Sequence, residues 1–255
     1  MRLKGQVAIV TGSGRGIGAA IAEGYAREGA FVVLVSRTNA QLEAQAESIQ
    51  ALTGTKPLAV AIDVSKQDDV EHLVETVIGV YGKIDILVNC AGIAMVSPAE
   101  SLSLEDWHAC MKINLDGTFL CCQKVGQKMI KQGSGGKIIT ITSIVAHAAI
   151  PERAAYAASK GGVMQLTQNL AVEWARYGIQ VNAISPGFIR TQLVQELIDK
   201  GVHKPEKMIA RIPAGRLGEV DDLVGPAIFL ASKEADYITG VILKVDGGWL
   251  ANGYI

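Results

Sequence analysis

The stretch Val7-Ala8-Ile9-Val10-Thr11-Gly12-Ser13-Gly14-Arg15-Gly16-Ile17-Gly18 decides the fold. Its first five residues form an apolar, mostly β-branched run of strand length, and an alanine-rich helical pattern follows from Gly16 to Glu28. Between the two lies a turn with glycine at every second position. Such a turn lets backbone N–H groups and the positive end of a helix approach phosphate with no Cβ in the way. Two registers fit. Gly14-Arg15-Gly16-Ile17-Gly18-Ala19 aligns with G-x-G-x-x-A, while T-G-x-x-x-G-x-G, starting at Thr11, takes in more residues. Both put a tight backbone at the strand's end and a helix N-terminus toward a dinucleotide pyrophosphate. Taken alone, the turn also suits α/β proteins in which its glycines are purely structural.

The same alternation continues outward. Strands are predicted at Val7–Thr11, Phe31–Ser36, Leu58–Ile62, Ile84–Asn89, Lys137–Thr142, Ile179–Ile184 and Val241–Val245, and helices at Gly16–Glu28, Ala40–Leu52, Gln67–Tyr81, Leu104–Lys131 and Arg153–Tyr177. Strands alternating with helices imply βαβ units, and largely apolar strands such as Ile84–Val88 need helices on both faces. The expectation is one α/β domain over residues 1–255, a doubly wound Rossmann-like fold with a seven-stranded parallel sheet. Val163, Leu166, Leu170 and Trp174 recur at helical spacing. That stripe packs on the sheet or, with the Leu104–Lys131 helix, buries a subunit interface. From Pro186 to Leu217 the pattern is broken by Pro186-Gly187, Pro205 and Pro213. This irregular segment is a surface connection or a substrate loop or lid at about 187–217.

Composition narrows the function. The 255 residues are 49% hydrophobic and 19% charged with a formal net charge of −1, which excludes disorder and offers no electrostatic case for nucleic acid or an anionic membrane. No apolar run approaches the ~20 residues a membrane span needs. Met1–Gly5 enters a strand with no secretory signal pattern, so a cytoplasmic location is the expectation. Cys90, Cys110, Cys121 and Cys122 form no C-x-x-C, and His72, His108, His147 and His203 lack metal-ligand spacing. Reduced thiols and no metal are expected.

The polar candidates gather at strand ends. Gly12, Ser36-Arg37, Asp63, Asn89, Ser143 and Pro186-Gly187 each follow or end a predicted strand, and in an open α/β sheet the ligand crevice lies beyond those ends. Ser36 stands where an acid for the ribose hydroxyls is looked for, and Arg37, helped by Arg15, offers donors to a 2′-phosphate. This favours NADP(H) over NAD(H). Tyr156 and Lys160 lie four apart on a predicted helix and share a face. An ammonium about 4 Å from the phenolate would favour ionisation by on the order of 4 kcal/mol at an effective dielectric of 20, roughly three pKa units before desolvation. Ser143 can hydrogen-bond a carbonyl or alcohol oxygen. Asn114, a poor helix former at an interior position, suggests local hydrogen bonding or a kink with a water relay to Lys160, or simply an exposed helix residue.

In this order these segments resemble the short-chain dehydrogenase/reductase family across essentially the whole chain. The resemblance rests on Thr11 to Gly18, Asp63-Val64, Asn89-Cys90-Ala91-Gly92, Asn114, Ser143, Tyr156-Ala157-Ala158-Ser159-Lys160 and Pro186-Gly187. It implies Asn114, Ser143, Tyr156 and Lys160 as a catalytic tetrad. It also implies a cofactor site running from Gly12, Ser13, Gly14, Arg15, Gly16, Ile17 and Gly18 through Ser36, Arg37, Asp63 and Val64 to Asn89, Ala91 and Gly92. Tyr156, Lys160, Pro186, Gly187, Ile189 and Thr191 complete that site, with the last two near the carboxamide. Cys90 departs from the family's N-N-A-G and should change local hydrogen bonding without loss of the fold.

The implied reaction moves hydride between nicotinamide C4 and a carbonyl or secondary alcohol, with Tyr156 handling the proton. Arg211–Arg216 and Val245–Ala251 look similar to gluconate and keto-deoxygluconate dehydrogenases, although the first segment also resembles 3-oxoacyl-acyl-carrier-protein reductases. A sugar acid is the expected substrate and an acyl-carrier-protein thioester the alternative. His147, Arg153 and Arg190, which flank the Ser143, Tyr156 and Pro186 segments, line the mouth for a sugar carboxylate or are ordinary surface residues. A non-catalytic dinucleotide-binding scaffold or sensor is the alternative from another class. The resemblance further implies a homotetramer.

Overall fold

Alternate residues of a strand face opposite sides of a sheet, and here that period of two builds two separate cores. The computed structural model describes residues 1–191, 194–195, 198 and 205–253. The strands are β1 (Val7–Thr11), β2 (Phe31–Ser36), β3 (Leu58–Ala61), β4 (Ile86–Asn89), β5 (Gly136–Ile141), β6 (Ile179–Pro186), β7 (Ile189–Arg190), β8 (Gly218–Glu219) and β9 (Ile242–Val245). The described helices are α1 (Gly16–Arg27), α2 (Asn39–Thr53), α3 (Gln67–Tyr81), α4 (Leu104–Met111), α5 (Gly117–Gln132), α6 (Ala154–Trp174), α7 (Pro205–Ile209) and α8 (Val224–Ala231). Seven strands form one parallel sheet in the order β3-β2-β1-β4-β5-β6-β9, and β7 pairs with β8 apart from it. The doubly wound, seven-stranded expectation holds.

Ala8 and Val10 of β1 pack with Ile21, Tyr25, Leu42 and Ile228 under α1, α2 and α8. Val7 and Ile9 join Leu73, Val125, Met129 and Leu170 under α3, α5 and α6. Burying each large side chain contributes about 1.5–3 kcal/mol, so shifting β1 by one residue would exchange its two faces and lose both cores. Close helix approaches lock the layers. Tyr25 donates its hydroxyl hydrogen to Ala227 O at 2.9 Å, tying α1 to α8. A Cβ on Gly126 of α5 would overlap the Trp174 indole on α6.

From β1 the chain builds β2 and β3 to one side, then crosses to β4 on the other. The crevice therefore opens at the carboxyl ends of β1 and β4.

The long helix departs from expectation. The predicted Leu104–Lys131 helix is α4, a π-helical turn at Lys112–Asp116, and α5. A π turn holds an extra residue against the helical period, usually because a side chain inside it has work elsewhere. Here that side chain is Asn114. The predicted Arg153–Tyr177 helix is α6 followed by a 3₁₀ turn at Ala175–Tyr177.

A third apolar cluster of Ile144, Val145, Ile212, Leu217 and Trp249 sits at the rim, with the Arg211 guanidinium 4.0 Å from the Trp249 ring centroid. It anchors the later part of the expected lid to the end of the chain. Residues 192–193, 196–197 and 199–204 of that segment, His203 among them, lie outside the described residues. Among the described residues no helix is long and apolar enough to cross a membrane, and no group of three His, Cys, Asp or Glu side chains could hold a metal ion.

Candidate active site

The glycine turn closes over β1 because two glycines leave out atoms that would not fit. A Cβ on Gly18 would overlap the Gly12 carbonyl oxygen and lie 2.8 Å from its carbon. Gly16 takes φ +61°, a left-handed conformation that glycine adopts at no steric cost. Helix α1 consequently begins directly above the strand end. Its N-cap residue, Arg15, makes no side-chain capping bond. The first-turn amides and the helix dipole thus face a cleft of about 370 Å³ without a protein acceptor from that cap.

That cleft brings together Gly12, Gly14, Arg15, Gly16, Ile17, Gly18, Ser36, Arg37, Asp63, Val64, Ala91 and Gly92, with Thr191 at its far end. Arg15 and Arg37 are exposed and have no ion pair among the described residues. Burial, the largest influence on Asp63, would raise its pKa. The Ser65 backbone and hydroxyl donors and the nearby charges of Arg37 and Lys66 outweigh it, leaving the carboxyl lowered overall.

Two expected cofactor residues face elsewhere. Ser13 is fully buried, and its Oγ accepts a 2.8 Å bond from Val35 N, which ties the turn to β2. Asn89 points beneath the sheet, where its Nδ2 donates to Cys122 Sγ of α5 at 3.2 Å. Neither lines the cleft. Sequence reasoning passed over Thr38 and Gln41, which do line it; Cys90, singled out there as a departure from the family motif, borders both this cleft and the next. Cys90 leaves the loop intact because Thr11 Oγ1 accepts from the Cys90 and Ala91 amides, each at 3.1 Å. The side chain at position 90 is not part of that support.

A second cleft of about 330 Å³ opens from the first and shares Ile17, Cys90, Gly92, Ile93 and Thr191 with it. Ser143, Tyr156, Lys160, Pro186, Gly187 and Ile189 line its floor. Ser143 follows β5, where its Oγ accepts from Val145 N at 3.4 Å and its side chain lies near enough to the Tyr156 phenol to lower its pKa. Tyr156 and Lys160 stand one turn apart on α6, where Lys160 Nζ donates to Ile141 O at 2.8 Å and lies 5.7 Å from the Tyr156 ring centroid.

Desolvation decides the balance that helical spacing left open. Burial, the dominant cause, pushes Tyr156 up to about 12, although the nearby Ser143 side chain pulls the other way. Burial likewise holds Lys160 down to about 8. The ammonium lies beside the ring face and spends a hydrogen on Ile141, so it does not overcome desolvation at the phenol. Burial therefore favours the neutral, proton-donating form of Tyr156.

Asn114 is fully buried in the π turn. Its Oδ1 accepts from Ile93 N at 2.8 Å, and its Nδ2 donates to Ile93 O at 3.0 Å and Ser159 Oγ at 3.0 Å. The local hydrogen bonding expected of this residue is present, and the exposed alternative is excluded: the side chain clamps the Gly92-Ile93 backbone to α6. Gly92 fits between Asn114 and Lys160, since a Cβ there would lie 3.1 Å from Asn114 Oδ1 and 3.6 Å from Lys160 Nζ.

The three basic candidates separate. Arg153 lines the second cleft. His147 is exposed and outside it; burial and Lys244 lower its pKa while Asp246 raises it. Arg190 turns outward on β7 to pair with Glu219 at 3.1 Å and Gln195 at 3.0 Å. An acid partner across the β7–β8 pair draws Arg190 away from the mouth.

A family model described as enoyl-(acyl carrier protein) reductase matches residues 12–250. D-threitol dehydrogenase of Mycolicibacterium smegmatis is 42% identical over 248 residues, covering 97% of this chain and 94% of that protein. The 2-dehydro-3-deoxy-D-gluconate 5-dehydrogenase of Bacillus subtilis is 42% identical over 253 residues, covering 98% and 96%. A crystal structure of a gluconate 5-dehydrogenase from Burkholderia cenocepacia in complex with NADP and tartrate superposes with a TM-score of 0.93 at 41% identity, covering 98% of this chain and 97% of that one.

Proposed function

We propose, on the premise that this chain belongs to the short-chain dehydrogenase/reductase family and is an oxidoreductase, that it interconverts the carbonyl and secondary-alcohol forms of a sugar acid with NADP(H). The observation that carries the reading is the meeting of Ser143, Tyr156 and Lys160 where a cleft built for a dinucleotide opens into a second one. The first cleft fits the cofactor: the glycine turn leaves the space a Cβ would fill, the uncapped α1 amides suit a pyrophosphate, and Arg37 and Arg15 suit a 2′-phosphate. When bound, the nicotinamide supplies or takes up the hydride.

The chain's own residues do the rest. Tyr156 donates its phenolic proton to the developing oxyanion during reduction, the form in which burial keeps it. Ser143, beside Tyr156, hydrogen-bonds the same oxygen, which fixes the carbonyl against the donor. Lys160 places an amine of lowered pKa beside Tyr156, able to return a proton or to hold a ribose hydroxyl. Asn114 positions Gly92 and Ile93 at the junction of the two clefts. In the direction of alcohol oxidation Tyr156 must first lose its proton, so that direction gains with rising pH.

Sugar-acid chemistry draws support from the relatives named for gluconate derivatives, and NADP(H) from the NADP-bound neighbour. The 187–217 segment serves as the substrate lid in this reading, over one domain spanning residues 1–255. A homotetramer is supported by the groove along α4, α5 and α6, where Phe119 is 42% exposed beside Leu115, Leu120 and Leu166. A panel of sugar acids, polyols, ketones and acyl thioesters, followed by NADPH absorbance, tests the assignment. Turnover of gluconate or its keto form is expected. Failure of those substrates alongside rapid reduction of an acetoacetyl thioester selects the acyl-reductase alternative, and cofactor binding without any turnover selects the scaffold.

A further inference from the structure

The second cleft is apolar over much of its described wall, through Ala94, Val96, Ile144, Ile150, Phe188 and Met208. Two of its hydroxyls are already engaged. Thr142 donates to Ile184 O at 3.0 Å, and Thr191 Oγ1 accepts from Val194 N at 3.2 Å. Arg153 differs from both. Its guanidinium carries five donors, yet it makes one hydrogen bond, from Nη1 to Glu152 O at 3.3 Å, and no ion pair among the described residues. Arg2, Arg27, Arg190 and Arg216 each pair with a carboxylate on the surface. Arg153 is half-buried and has no such partner among the described residues. A cation partly removed from water with only the unpaired charge of the neighbouring Glu152 to offset it is costly, and a bound anion would reduce that cost.

The backbone holds Arg153 at this place. Glu152 takes φ +63°, which among the described residues is the sole positive φ outside glycine. Its carbonyl accepts from both Ser97 N, at 3.0 Å, and Arg153. Strained residues of this kind persist where the surroundings over-determine them, often at ligand sites. Arg153 then opens α6 three residues before Tyr156, on the same helix face. One small molecule can reach both.

We propose that Arg153 binds a carboxylate of the substrate at the mouth of the second cleft and is the residue that selects acids over their uncharged counterparts. This rests on the reading of that cleft as the substrate site of a sugar-acid oxidoreductase. Burial lowers the Arg153 pKa, while the neighbouring Glu152 and Tyr156 raise it. An arginine stays charged through such shifts.

The test uses D-gluconate and its uncharged analogue gluconamide with the wild type, Arg153→Ala and Arg153→Lys. Binding to the enzyme–NADP(H) complex is measured by calorimetry, and turnover is followed where it occurs. Loss of one charge-assisted contact should weaken gluconate by about 10- to 100-fold in Arg153→Ala. Gluconamide should change by no more than about two-fold and Arg153→Lys should recover part of the loss, as expected for a single ionic contact. Melting temperature and NADPH affinity report whether α6 has been disturbed. Parallel weakening of both ligands, or unchanged gluconate binding, overturns the inference while leaving the sugar-acid reading in place. A wild type that neither binds nor oxidises gluconate removes that reading and the inference with it.

Discussion

Replacing Gly18 with alanine tests the link between the tight turn and cofactor binding. The new Cβ would overlap the Gly12 carbonyl oxygen and lie 2.8 Å from Gly12 C and 3.1 Å from Ser13 N. All three are backbone atoms, so no flexible side chain can move aside. The start of α1 must lift from β1, or the turn must shift with it. Overpacking of this kind costs about 1–3 kcal/mol. At roughly 2–4 °C per kcal/mol for chains of 150–250 residues, the melting temperature should fall by about 2–12 °C. The same displacement moves the first-turn amides that face the cleft, and NADPH affinity should drop about ten-fold or more as charge-assisted bonds lose their geometry. Gly79→Ala in α3 is the control, because nothing lies within 4 Å of its Cβ position. It should stabilise the protein by about 0.5–1 kcal/mol with NADPH binding unchanged. Thermal melts and fluorescence titrations with NADPH read both variants. A Gly18→Ala protein that melts and binds NADPH like the wild type would refute the argument.

Arg37→Ala should raise the KM for NADP⁺ by about 10- to 100-fold and leave that for NAD⁺ within about two-fold; an equal rise for both, in steady-state kinetics, would show that Arg37 does not read the 2′-phosphate. Lys160 should leave a pH signature in stability. Its pKa is held near 8 by burial against a usual 10.5, so between those values the unfolded chain binds the extra proton and folding becomes more favourable as pH rises. The melting temperature of the wild type relative to Lys160→Met should therefore climb from about pH 8 to 10.5, and a flat difference would contradict the buried, depressed amine.

Where local chemistry and tertiary packing agreed, the sequence was a sufficient guide. β1 and β2 span the residues their β-branched runs indicated, and the turn after β1 follows from its glycines, Gly16 at positive φ and Gly18 where a Cβ would overlap backbone. The strand-end rule brought Arg37, Asp63, Ser143 and Gly187 to one rim, but it could not say which face of the sheet each residue takes. Ser13 and Asn89 consequently turned inward to Val35 and Cys122. The π turn at Lys112–Asp116 left no mark in the apolar pattern, since helical periodicity resumes on either side. Only Asn114 at an interior position hinted at it, through the hydrogen bonding that the Ile93 backbone supplies. Arg190 takes the surface alternative left open for it, because β7 and β8, two residues each and too short to register as strands in the sequence, set it opposite Glu219. The Tyr156 pKa depends on burial by the rim cluster and on where the Lys160 hydrogens go, which spacing along a helix does not contain.

The account turns on Tyr156 as the group that exchanges a proton with the substrate oxygen. Single-turnover measurement of NADPH oxidation by Tyr156→Phe, with NADPH affinity determined in parallel, tests it most directly. General acid catalysis is worth about 10²- to 10⁴-fold, so the rate should fall by that amount while NADPH binding stays within about two-fold, because the ring still fills its place beside Lys160. A variant that reduces the substrate at close to the wild-type rate would contradict the assignment.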